Sequence, residues 1–461
     1  MIHDYVLLQN AYGTPEMRKI WTEENMVQKW LDYEKEIALE MGNLGMIPME
    51  AAKNIASKST IKHLTPAMIA EFKADAGHLI VSLIKAFAKM AGPSGEHYHV
   101  GPTTQDILLT GITLQIKEAY AIIMRQLRQL EQIFVDKSLR YKKTVLMGRT
   151  HGQHAVPLTF GFILGTWAYE IRDHIERMKE ISERILRGKL TAAVGTRNTW
   201  VYLFGVDKTH QLVENVMKRI GLANTPIDIA TRTDRLAELG FALANITSSL
   251  AKIGLDVRFM QTSEISEVEE PWDPKKQYSS STMPNKRNPE PSEWQEGLAK
   301  IARGNAFALS SITILNERDA TRMGPIMKCI PDNFLLTSAA LAQAIRIFGN
   351  LTVHEDRMKE NLYVTKGIAM SEVVMLKLWQ KTGKKVTAHT LVHDVSMEAF
   401  DKQISLKEAL LANKEAAKYL TPKEIDEITN PETYYGDAPE QVDKVVAHIK
   451  KARENDAPWN I

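Results

Sequence analysis

The sequence predicts an all-α fold built around a central bundle of long helices, and three observations carry that prediction. Ile112, Ile116, Ala119, Ile123, Leu127, Leu130 and Phe134 recur at spacings of three and four, with no further Gly or Pro until Gly148. Stretches of the same style follow Gly165, run from Asp234 to Glu270, and follow Pro289 and Pro331. Helices that far above the globular mean of about 11–12 residues pack as bundles. Strand-like alternation is nearly confined to "TWVYLFGV" at residues 199–206.

In chain order, residues 17–90 read as short helices with punctuation. "TEENMVQKWLDYEKEIALEMGNLG" opens on a capping Thr22 and stops at Gly42 and Gly45. The first long helix begins near Thr104. A third set of short helices begins near Val353 and ends in a Pro-, Gly- and charge-rich tail. Helix length alone therefore divides the chain into an N-terminal helical domain (1–103), a central long-helix bundle (104–352) and a C-terminal helical domain (353–461).

Composition narrows the function. A chain of 461 residues, 44% hydrophobic, buries a large core. Its 58 Lys and Arg balance 56 Asp and Glu, which argues against nucleic acid or an anionic membrane surface as partner and for a small ligand. The single cysteine, Cys329, excludes an internal disulfide and a Cys-rich zinc site, as in a reducing, cytoplasmic protein. A signal-peptide pattern is not seen at the start, and no window of 18 apolar residues is found.

Three polar islands interrupt the helical pattern. "HYHVGPTTQDI", residues 97–107, leads into the first long helix; Thr103 and Thr104 sit where free N–H groups and the helix dipole favour an anion, although a plain N-cap role explains them as well. "GRTHGQHAVPLTFG", residues 148–161, offers His151 as an acid or base, or as a hydrogen-bonding residue in a joint; a metal pair lacks further ligands nearby. "SSSTMPNKRNPEP", residues 279–291, follows Pro271 and Pro274 and contains Pro284 and Pro289, which keep it out of a continuous helix. Its serines and asparagines are ordinary turn formers taken singly, but loops on rigid scaffolds are where catalytic groups gather.

Together the islands resemble the three motif regions of the fumarase/aspartase superfamily. The third region of that family reads Gly-Ser-Ser-x-Met-Pro-x-Lys-x-Asn-Pro, and Ser280, Ser281, Met283, Pro284, Lys286, Asn288 and Pro289 match it, with Ser279 in place of the glycine. Seven identities at fixed spacing arise by chance on the order of 10⁻⁹ per start position. The resemblance is closest to the adenylosuccinate lyase branch, through "MRKIWTEENMVQKWLDYE", "LGMIPMEAA", His99-x-Gly-x-Thr, "GRTHGQHA", "AAVGT", "SEISEVEEP" and "NERD". It implies a three-domain helical fold, a homotetramer with composite active sites, and β-elimination of fumarate from a substituted succinate.

The same resemblance implies roles. Ser280 corresponds to the catalytic base, Lys286 and Asn288 to donors for the substrate carboxylate and its developing charge, Thr103 and Thr104 to a second carboxylate site, and His151 to the acid that protonates the leaving nitrogen. His99 and Gln153 fall among the substrate-binding positions, and His78 near another active-site histidine. The ligands expected are a small dicarboxylate and fumarate, with no cofactor and no metal.

Departures from the branch concern the leaving group. The family's N-terminal Arg-Tyr-Ser element is missing, and Met323, Gly324 and Met327 stand where a Ser-Ser-x-x-Arg element contacts a nucleotide phosphate. A methionine supplies no charge-assisted donor. Residues 227–238 contain no glutamine for the family's Thr-Gln pair, leaving Arg318, Arg322 or Arg232 as compensating candidates. The expectation is a carbon–nitrogen lyase acting on an N-(1,2-dicarboxyethyl) substrate with a non-nucleotide amine. Alternatives are adenylosuccinate lyase, a 3-carboxymuconate cycloisomerase-like enzyme, which the tail "PETYYGDAPEQVDKV" resembles, and a recruited structural protein.

Overall fold

The computed structural model describes residues 6–228, 232–273, 275, 280–313 and 320–456. It is mostly helical. Glu23–Asn43 (α1) starts at Thr22, whose hydroxyl accepts from the Asn25 amide at 3.2 Å, and Gly45 beyond its end has φ 66°, a left-handed conformation glycine adopts without strain.

Five long helices form the bundle: Thr104–Arg140 (α2), Phe160–Ile185 (α3), Asp234–Met260 (α4), Glu290–Ser310 (α5) and Met323–Gly349 (α6). Their buried faces share one core, in which Ile116, Ile123, Leu127, Leu130 and Phe134 of α2 are fully covered. The most apolar 18-residue window of α2 has the length and composition of a membrane span, yet 78% of it is buried inside the bundle. A second apolar cluster joins α1 and the helices around Ile55, Leu83 and Phe87 to Trp200 and Leu212. A third lies in the C-terminal helices Ser371–Thr382 (α7) and Lys385–Asp401 (α8) and the segments after them.

Several elements differ from the sequence reading. "TWVYLFGV" is helical, Asn198–Phe204 with a new helix from Val206, because Trp200 buries against the second cluster instead of pairing with a strand. Between α2 and α3 lies an antiparallel hairpin, Val145–Thr150 (β1) and Gln153–Thr159 (β2), that periodicity does not reveal. Helix α4 stops at Met260, so residues 261–270 are an irregular connection with a short strand at Val268–Glu269. Helix α6 starts at Met323, ahead of Pro331. Burial of Ile326, Ile330 and Phe334 on one face outweighs the backbone hydrogen bond that the proline cannot donate.

Candidate active site

The first island is held from beneath by two buried carboxylates. Thr103 caps α2 with φ −101° and ψ 158°, and Asp106, fully buried one turn on, accepts from the Thr103 amide at 3.1 Å. The other bonds to Asp106 come from a distant segment: the Thr191 amide and hydroxyl at 3.1 Å each, and the Ala192 amide at 2.9 Å. Burial pushes the Asp106 carboxyl up to about 6, against the pull of these donors and of Lys189. His99 is left-handed at φ 58°, and its Nδ1 makes a very short hydrogen bond to Glu34 of α1. Thr103 and Thr104 remain half-buried at the helix tip.

The second island is the hairpin turn. Thr150 pairs with Gln153, leaving His151 (φ 54°) and Gly152 (φ 74°) as a two-residue turn with both residues left-handed, the geometry that matches the strands' twist. His151 is exposed at the tip. Arg149, two residues back, is bidentate to the fully buried Glu267 at 3.0 and 2.8 Å, and Asn361 donates to the same carboxylate at 2.9 Å. His154, paired opposite Arg149, is pushed down by burial and by that guanidinium. Gln153 opens with His154 onto a cavity of about 720 Å³ floored by Ile368, Phe400 and Ile404.

The third island forms an irregular loop before α5. Ser280 Oγ accepts from the Met283 amide at 2.9 Å and from the Thr282 amide at 3.3 Å. Donors aimed at a hydroxyl oxygen favour its anionic form, so this turn suits a serine that must lose its proton. Lys286 is exposed and Asn288 half-buried, with the Lys286 amide closing a turn on the Met283 carbonyl at 3.1 Å. The base of the loop is tied down: Arg287 pairs with Glu269 at 2.7 Å, Gln261 donates to the Arg287 carbonyl at 3.2 Å, and buried Glu270 accepts from the Ser292 amide at 2.9 Å. Ser279 and Pro274 lie outside the described residues.

Within one chain the islands do not all meet. Arg149–Glu267 and Arg287–Glu269 link hairpin and loop at one end of the bundle. Thr103 and Thr104 stand at the opposite end of α2, whose 37 residues span roughly 55 Å at a rise of about 1.5 Å each. His78 is exposed and caps the helix Leu79–Ala91, its Nδ1 accepting from the Val81 amide at 3.4 Å; nothing among the described residues bonds it to the other candidates. Arg318 lies outside the described residues. Arg232 is exposed and paired with Asp234 at 3.5 Å, whereas Arg322 is buried, both toward the Thr103 end. Among the described residues no three His, Cys, Asp or Glu side chains converge as metal ligands would.

Comparison with known proteins covers the whole architecture. Residues 10–304 match the sequence model of a family described as lyase, and residues 367–445 match one described as adenylosuccinate lyase C-terminus. The chain is 40% identical over 447 residues to an adenylosuccinate lyase of Methanocaldococcus jannaschii, covering 96% of this chain and 95% of that one. It is 34% identical over 446 residues to an N-acetyl-S-(2-succino)cysteine lyase of Dickeya dadantii, covering 96% and 97%. Among solved structures, 3-carboxy-cis,cis-muconate lactonizing enzyme from Pseudomonas putida superposes with a TM-score of 0.89 at 28% identity, covering 97% of this chain and 99% of that one.

Proposed function

From the premise that the chain belongs to the fumarase/aspartase superfamily of lyases, we propose that it releases fumarate from a substituted succinate whose leaving group is not a nucleotide. The observation that carries the reading is the signature loop, in which Ser280 Oγ sits on two backbone amides and Lys286 and Asn288 follow at the family spacing. Ser280, as the alkoxide, takes the proton from the carbon next to one carboxylate; the electron pair moves into that carboxylate, where Lys286 and Asn288 offset the second negative charge. The pair then returns to form the double bond as the bond to the leaving atom breaks. His151 gives that atom a proton, so the products are fumarate and the protonated leaving group. Thr103 and Thr104 hold the second carboxylate, and His99 and Gln153 contact the substrate.

Met323, Gly324 and Met327 begin α6 where the branch carries its phosphate contacts, and none offers a charged side-chain donor. The N-acetyl-S-(2-succino)cysteine lyases at 34% identity support a small, non-nucleotide leaving group, with sulfur an option beside nitrogen. The adenylosuccinate lyases at 40% to 36% identity favour the second reading, adenylosuccinate itself. Incubation with adenylosuccinate, with N-acetyl-S-(2-succino)cysteine, and with fumarate plus a panel of amines separates the two: rapid turnover of adenylosuccinate, seen in the purine absorbance, would reject the non-nucleotide proposal.

We further propose a composite site, which the length of α2 supports, in a homotetramer of three-domain chains divided at 1–103, 104–352 and 353–461. Support for the assembly comes from an uncovered apolar face on α4 and α5, where Phe307 is 78% and Phe241 51% exposed beside a groove of about 580 Å³; the apolar clusters themselves cross the division, the second reaching Trp200 and Leu212 and the central one Met17 and Val442. Mixing a Ser280→Ala chain with a Thr104→Val chain under conditions that exchange subunits should restore activity that neither has alone. Mixtures as inactive as their parents would rule out sites shared between copies.

A further inference from the structure

Behind the first island lies a buried carboxylate, Glu34, to which the reaction assigns no part. Glu34 sits on the buried stripe of α1 between Trp30 and Ile37, is 1% exposed, and touches the imidazole of His99 through Nδ1 in a hydrogen bond shorter than an ordinary one. His99 belongs to the loop leading to Thr103, and its own side chain is 12% exposed. Among the described residues Nε2, the other ring nitrogen, makes no hydrogen bond, so it is the one left for a ligand. An unpaired buried carboxylate is costly: Glu40, the other buried glutamate of α1, is satisfied by Asn43 and Asn215, and Glu34, among Trp30, Tyr33, Ile37 and Met41, is satisfied by His99.

We propose that Glu34 is a positioning residue for the carboxylate site at the start of α2, acting through His99. It fixes the ring by Nδ1 and turns Nε2–H into a donor for the substrate carboxylate beside Thr103 and Thr104. The inference rests on the lyase reading above. Burial alone would push His99 down, but the Glu34 charge and hydrogen bond, with a smaller contribution from Asp106, outweigh it and hold His99 above its ordinary value of 6.5. Glu34 comes from α1 and Asp106 from α2; Lys189 and Arg197 act on Asp106 from the far side, and Tyr33 and Tyr98 are buried phenols held well above their usual range, hence neutral. The sign is then definite: with Glu34 charged, His99 keeps its proton to higher pH than usual, and without that charge burial strips the proton at lower pH.

Fumarate itself is the probe, its dissociation constant measured by calorimetry on the full chain at about pH 7.5 and about pH 5.5, either side of the ordinary histidine value. Glu34→Gln is expected to weaken binding roughly 10- to 100-fold at the higher pH, the worth of one hydrogen bond to a charged group, and by less at the lower, where more of the imidazole carries its proton. His99→Gln should weaken binding at both, and the double variant should be no weaker than His99→Gln alone, since one residue acts through the other. Additive losses, or wild-type affinity for Glu34→Gln at both pH values, would overturn the proposal. If Glu34→Gln does not fold, Glu34→Asp decides: it keeps the charge but withdraws it from Nδ1, so binding weakens at the higher pH, and unchanged binding there rejects the idea. A wild type that binds no fumarate refutes the lyase reading and this inference with it. Weakening by Thr103→Val but not by Glu34→Gln refutes the inference alone.

Discussion

Ser280→Ala is expected to lose fumarate release by on the order of 10³-fold, within the range of about 10²–10⁴ for removing a positioned base, while the fold stays intact. The separation of the two effects follows from where the serine sits. Its hydroxyl accepts two amides of its own turn, and Thr282 and Met283 next to it are exposed, so water replaces the lost oxygen at little cost to stability. The rate is read from the ultraviolet absorbance of fumarate and the fold from circular dichroism. A variant with more than roughly a tenth of wild-type activity would mean that another group takes the proton.

The largest effect on stability is expected at Glu267. Replacing it with alanine leaves the Arg149 guanidinium, itself only 12% exposed, without its partner and deprives the Asn361 amide of an acceptor. Removing one member of a buried pair typically costs about 3–5 kcal/mol, because the charge left behind is uncompensated. The half-exposed Arg287–Glu269 pair nearby offers the contrast: it should be worth no more than about 1 kcal/mol. Urea denaturation of Glu267→Ala and Glu269→Ala in parallel measures both. Equal midpoints would show that the Arg149–Glu267 clamp does not hold hairpin and loop together. Activity should fall with Glu267→Ala as well, since the clamp lies two residues from His151 and leads through residues 268–287 to the signature loop.

What the sequence reveals depends on whether the deciding interaction is local. The long helices are legible because their buried positions repeat every three or four residues, and the Thr22 cap is legible because it bonds only three residues away. The hairpin at residues 145–159 is not, since a register irregularity between Met147 and Arg149, a polar turn and Pro157 break the alternation that marks a strand. The signature loop can be read directly from its spacing. The Arg149–Glu267 clamp cannot, for its partners are 118 residues apart and each looks like an ordinary surface charge. Glu34 falls between these cases: a carboxylate set between Trp30 and Ile37 at helical spacing is visible in the sequence, but its partner His99 lies 65 residues on.

The length of α2 has one more consequence, for which changes of chain length the protein can absorb. The helix works as a ruler fixed at both ends, by the capping Thr103 and Asp106 at one and by the hairpin that follows Arg140 at the other. Deleting one residue from its middle would draw the ends together by about 1.5 Å and rotate one against the other by about 100°. With the first half held in place, that would turn Leu127, Leu130 and Phe134 out of the core; with the second half held, it would displace the threonines from the rest of the site. Insertions and deletions during divergence should therefore accumulate in the connections and at the chain ends, while this one helix keeps its residue count.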